Sequence, residues 1–177
     1  MDPRRRTRAR TGGALADLLA DPSGIPSAHE ADDAAAARAA RSCYAEHGLR
    51  CVEPDAALGP LLLTSERVVA ASRGVVVHAR FEPGSAEGHR CDPGDLYVTT
   101  RRIVLVGQRA SCLALDTIRD AVVANDHLVL ILDGGRAVAV EAPRPQLLRA
   151  HIAIARADRA ADVRSGTGTG EQPHDGL

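Results

Sequence analysis

Aromatic side chains are almost absent from this chain of 177 residues: Tyr44, Phe81 and Tyr97 are the three it has, and tryptophan and lysine are missing altogether. A core must then be built from Val, Leu, Ile and Ala, which bury less area per residue than aromatic rings, so it is expected to be small. The lack of lysine makes all 22 basic residues arginine. Together with abundant alanine, this reads as the codon bias of a high-GC bacterial genome rather than as a sign of arginine chemistry. The four cysteines (Cys43, Cys51, Cys91, Cys112) include no C-x-x-C pair. Without closely spaced ligands no tetrahedral zinc site is expected, and free thiols suit a reducing cytoplasm. Long apolar runs are also lacking: Gly12 to Ala20, broken by Asp17, is poor for a signal-peptide core and far too short for a membrane span.

The length suits one domain with tails. The net charge of -1 hides an uneven distribution, because Arg4, Arg5, Arg6, Arg8 and Arg10 face only Asp2 in the first ten residues. Between Leu61 and Ala160, thirteen arginines against eleven acids leave +2, too near balance for a nucleic-acid domain read from its global field. Residues 1–30, with Gly12-Gly13, Pro22 and Pro26, lack the apolar periodicity that offsets the entropy of ordering and read as a disordered basic arm; a brief helical turn at Ala14 to Ala20 would put Leu15, Leu18 and Leu19 on one side. Residues 31–60 hold an alanine-rich helix from Asp32 to His47, ended by Gly48, and a linker punctuated by Pro54, Gly59 and Pro60. That helix offers a mostly alanine face, which packs weakly or covers a sheet edge.

Strand patterns fill most of residues 61–158. Arg67 to Ala71 and Val75 to Phe81 are two runs around Ser72-Arg73-Gly74, followed by a long Gly/Pro loop to Pro93. Gly94 to Gly107 reads as a β-hairpin around Thr99-Thr100-Arg101-Arg102, a turn too polar to be buried. Ser111 to Leu115, Ile118 to Ala124, His127 to Leu132 and Ala137 to Val140 follow, the last two joined by Asp133-Gly134-Gly135-Arg136, whose glycines suit positive φ. An amphipathic helix from Pro145 to Ala157 turns Leu148, Ile152 and Ala155 to the core with Leu147, His151 and Ile154 alongside, and has no Ser, Thr, Asp or Asn at its N-cap. Residues 159–177, rich in Gly and Thr, read as a disordered tail.

The phrase from Gly94 to Arg102 resembles the G-x-L-Y-x-T-x-x-R hairpin of GRAM and bacterial pleckstrin-homology-like domains, with Gly94, Leu96, Tyr97, Thr99 and Arg102 at the matching positions. The aromatic that often follows the arginine is Val104 or Leu105 here, and the last helix has no tryptophan. The resemblance covers about Leu61 to Ala157. It implies a mainly β fold, a partly open antiparallel barrel plus a C-terminal α-helix, acting as a non-catalytic binding module in the cytoplasm or at the membrane surface.

Thr99, Arg101 and Arg102 are the candidate ligand-binding residues, since guanidinium groups match phosphate. They also have a structural use, because a threonine hydroxyl satisfies turn backbone groups and an arginine stem lies over a sheet. Arg67, Arg73 and Arg80 are too widely spaced for the basic pattern of phosphoinositide-reading relatives. Arg4, Arg5, Arg6, Arg8 and Arg10 are candidates for contact with an anionic membrane, beside the alternatives of a solvated tail or a misplaced start. The expected partner is a protein or the anionic membrane surface, with no specific nucleic acid and no cofactor. The rival reading is a small hydrolase or metal-dependent enzyme. For it the chain offers Cys43 and His47 one helical turn apart, or His78 with His89-Arg90-Cys91-Asp92, and no nucleophile elbow or phosphate loop.

Overall fold

The computed structural model describes residues 27–81, 93–124 and 126–166. The basic arm up to residue 26, the Gly/Pro loop with His89 and Cys91, and the tail from residue 167 lie outside them. Helix α1 spans Ala28–His47, and α2 spans Pro145–Gly166. Between them run β1 (Val68–Phe81), β2 (Gly94–Thr99), β3 (Arg102–Val106), β4 (Ala110–Ala114), β5 (Ile118–Ala124), β6 (His127–Leu132) and β7 (Ala137–Glu141). The fold is mainly β, as expected: one antiparallel sheet in the order β4-β3-β2-β1-β7-β6-β5, open between its two edge strands.

The two runs expected around Ser72-Arg73-Gly74 are a single strand. Its first half pairs with β2 and its second half with β7, and a register shift between Ser72 and Val75 marks the change of partner. Gly74 sits there with φ 64°, which lets the backbone kink without ending the strand. Gly94 answers a different need, since a Cβ on it would lie 2.6 Å from the Val106 carbonyl oxygen. The leading glycine of the hairpin motif is therefore demanded by the close approach of β3.

Alternation decides what each strand buries. Leu128, Leu130 and Leu132 of β6, Val140 of β7, Val75 of β1, and Leu96 and Val98 of β2 point to one face, where Leu148, Ile152 and Ala155 of α2 meet them in an aliphatic core. The face expected for the last helix is the one it buries. Ile152 is 1% exposed. The helix continues nine residues past Ala157 to Gly166, so residues 159–166 are helical where a tail was expected; Ala160 and Ala161 favour helix, and Arg159 is tied to Asp116 at 3.1 Å.

Helix α1 also starts earlier than Asp32. Ser27 is its N-cap, accepting the Glu30 N–H at 3.2 Å while the Glu30 carboxylate accepts the Ser27 N–H. This reciprocal capping box was written in the chain as Ser27-Ala28-His29-Glu30. The alanine face packs against α2 with Ala37 buried, because small side chains allow the two helices a close approach. The missing N-cap of α2 comes from α1: the buried Asp33 carboxylate accepts the Gln146 N–H at 2.7 Å and the Leu147 N–H at 3.0 Å.

Candidate functional site

On the opposite face of β1, β2 and β3 lies a strap, residues 52–66. Val52 bridges to Val68, a 3₁₀ turn at Gly59–Leu61 follows, and Leu58, 0% exposed, packs on Val68, Tyr97 and Val104. Both faces of these strands are thus covered, which explains why β2 and β3 carry near-continuous apolar runs rather than strict alternation.

Two carboxylates latch the strap. Asp55 accepts the Ala57 and Leu58 N–H groups at 3.1 and 2.9 Å, the Tyr97 hydroxyl, and Arg73 at 2.7 Å. Arg73 also reaches Asp95 at 2.5 Å and lies over the Tyr97 ring, 5.3 Å from its centroid. The Tyr97 hydroxyl and the Arg73 guanidinium hold the Asp55 carboxyl down at about 2, while burial and the bond to Asp55 push the Tyr97 phenol up.

At the other end Glu66, its side chain 0% exposed, accepts Arg102 Nε at 3.0 Å and Nη2 at 3.1 Å. It also accepts the Thr99 hydroxyl at 2.6 Å and the Leu63 N–H at 2.8 Å. Burial alone would raise the Glu66 carboxyl, but Arg102, Thr99 and the Leu63 amide outweigh it and hold the group below its ordinary value.

The hairpin turn is therefore not wholly exposed. Thr99 is 0% exposed, contrary to the expectation that its polarity keeps the turn out of the interior; Glu66 supplies the partner that makes burial affordable. Its hydroxyl oxygen also accepts the Arg101 and Arg102 N–H groups at 3.2 and 3.0 Å. Arg102 Nη2 also donates to the Leu61 carbonyl at 2.6 Å. Of the three candidate ligand residues, Arg101 stays on the surface, touching Ser65 Oγ at 3.3 Å. The five arginines of the basic arm lie outside the described residues.

Of the Cys43 and His47 pair, His47 Nδ1 lies 3.3 Å from the Cys43 backbone oxygen one helical turn earlier. His78 points away from the core on β1, where Glu141 of β7 and His127 of β6 join it as possible metal ligands. The sequence carried little sign of that group, because the register of three strands brings it together.

Between β1 and α2 is a cleft of about 280 Å³. Ala70, Ala71, Ser72, Pro143, Leu147 and Leu148 line it, with Arg73, Arg144 and His151 at its borders. Burial lowers the His151 pKa, so its ring presents a neutral edge to the cleft at pH 7. Chemically this is an apolar slot with Ser72 and Arg144 among its polar lining residues.

No protein-family model and no curated protein matches the chain. Among solved structures it is similar to the C-terminal domain of an unknown protein from Leishmania infantum, at 12% identity over 56% of this chain and 91% of that one, with a TM-score of 0.39. It is also similar to Inner Membrane Complex Sub-compartment Protein 3 from Toxoplasma gondii, at 15% identity over 49% of this chain and 75% of that one, with a TM-score of 0.34. No helix among the described residues is long and apolar enough to cross a membrane.

Proposed function

We propose that the chain is a non-catalytic binding module of pleckstrin-homology-like architecture whose partner is a protein. Seven antiparallel strands, the Gly94 to Arg102 hairpin and the C-terminal helix support the architecture. The observation that carries the functional reading is the cleft between β1 and α2, whose apolar floor beside Arg144 suits an apolar partner side chain flanked by an acidic group. Anionic headgroups are the weaker fit, because Arg102 is committed to Glu66 and Arg73 to Asp55 and Asp95.

The test is affinity capture with the full chain and with Ser72→Arg, which fills the cleft from a half-buried position paired with Leu96 on the α2 side of the sheet. Proteins retained by the wild type should be lost with the variant, while Arg101→Ala changes nothing. Identical captured proteins for the wild type and Ser72→Arg would overturn the cleft as the docking point. Co-sedimentation with phosphatidylserine vesicles separates the membrane reading. Binding that is salt-sensitive and disappears when Arg4, Arg5, Arg6, Arg8 and Arg10 are changed to Ser would assign it to the basic arm, since exposed charges are screened over about 8 Å at physiological salt.

A further inference from the structure

Strands β1, β7 and β6 are neighbours in that order. Val75, Val140 and Leu128 face the core, so His78, Glu141 and His127, each an odd number of residues away on its own strand, face the other side. Register completes the arrangement: His127 is directly opposite Glu141, and His78 pairs with Ala139, two residues before Glu141. The imidazole rings lie 5.3 Å apart at a 54° tilt, an edge-on meeting rather than a stack. His78 Nε2 is 3.0 Å from Glu141 Oε2, and one ligand atom from each of the three residues lies within 4.8 Å of the other two.

We propose that His78, His127 and Glu141 form a binding site for a divalent transition-metal ion of the zinc class. Two imidazole nitrogens and one carboxylate oxygen are a donor set that such ions prefer, with bonds of about 2.0–2.2 Å. Tetrahedral bonds of that length put ligand atoms roughly 3.3 Å apart. The 3.0 Å pair already has this spacing, and the wider separations close by side-chain rotation while the paired strands hold the backbone. With Glu141 exposed and both imidazoles half-buried, the three protein ligands leave the fourth position to water or to another donor. Such a site needs no C-x-x-C spacing, because the sheet rather than the local sequence brings the ligands together.

The test is calorimetric titration of the full chain with ZnCl₂ after its cysteines are blocked by alkylation, together with visible absorption on Co²⁺ substitution. One ion per chain and the d–d bands of four-coordinate cobalt are expected. Glu141→Gln keeps the side-chain shape, and His127→Ala removes a nitrogen from the outer face; each should weaken binding at least about tenfold, with an unchanged far-ultraviolet circular dichroism spectrum. His47→Ala, distant in the fold, should bind as the wild type does. Absence of stoichiometric binding by the wild type, or equal affinity of the wild type and a folded His78→Ala/His127→Ala double variant, would overturn the proposal.

Discussion

Replacing Glu66 by alanine removes the acceptor that ties the strap to the hairpin. It strands the Arg102 guanidinium, whose side chain is 20% exposed, beside a position where the carboxylate was 0% exposed. Breaking a buried ion pair by deleting one partner costs about 3–5 kcal/mol. The lower end applies here, since Arg102 keeps its bond to the Leu61 carbonyl and can reach water. The Thr99 hydroxyl can turn to the Arg102 carbonyl, 2.8 Å away, so its loss is largely recovered. A destabilisation of about 3 kcal/mol should lower the urea midpoint by roughly 1–3 M for a domain of this size. Urea unfolding followed by circular dichroism measures it, and a double-mutant cycle with Arg102→Ala should give a coupling of about 1–3 kcal/mol. A change below about 1 kcal/mol, the value of an exposed pair, would refute the latch. The effect also has a pH signature. The folded pKa of Glu66 is depressed, as is that of Asp55, so each contributes stability that is present above the ordinary carboxylate pKa of about 4 and is lost as pH falls through its lowered folded value. The gap between wild type and Glu66→Ala should therefore narrow as the pH falls below about 4.

Two further substitutions probe the helices. Asp33→Ala deletes the carboxylate that caps α2 and leaves the Gln146 and Leu147 amides with no acceptor from α1, so thermal unfolding should show a loss of about 1–2 kcal/mol; a neutral effect would mean that α1 is not docked in solution. Ile152→Asp puts an unpaired charge into the aliphatic core and should cost several kcal/mol, on the order of the largest single-site effects. An unchanged melting temperature would remove Ile152 from the core.

Much of the sheet was readable along the chain because its signals are local. The hairpin announced itself through strand composition around a polar turn, the Asp133 to Arg136 turn through its glycines, now at φ 76° and 75°, and the buried face of α2 through the spacing of Leu148, Ile152 and Ala155. What escaped was whatever depends on a distant partner. Thr99 looks solvent-bound until Glu66, 33 positions earlier, supplies its acceptor. Leu58 reads as linker until Tyr97 and Val104 form the surface beneath it. His127 and Glu141 are two ordinary strand-end residues until the β6–β7 register sets them side by side. Ser27 was a different kind of miss, for its capping box is local and was present in the sequence.

The cap that Asp33 places on α2 spans 113 residues of chain. First-turn amides of a helix normally exchange with solvent quickly, because they have no intrahelical acceptor and each helix end frays alone. In this fold the Gln146 and Leu147 amides are bonded to another helix. Their hydrogen-exchange protection becomes a gauge of whether α1 is seated, and the start of α2 opens only when α1 lifts away. The two helices are thereby joined into one cooperative unit, reported by a pair of protons that in a self-capped helix would carry no news of the rest of the molecule.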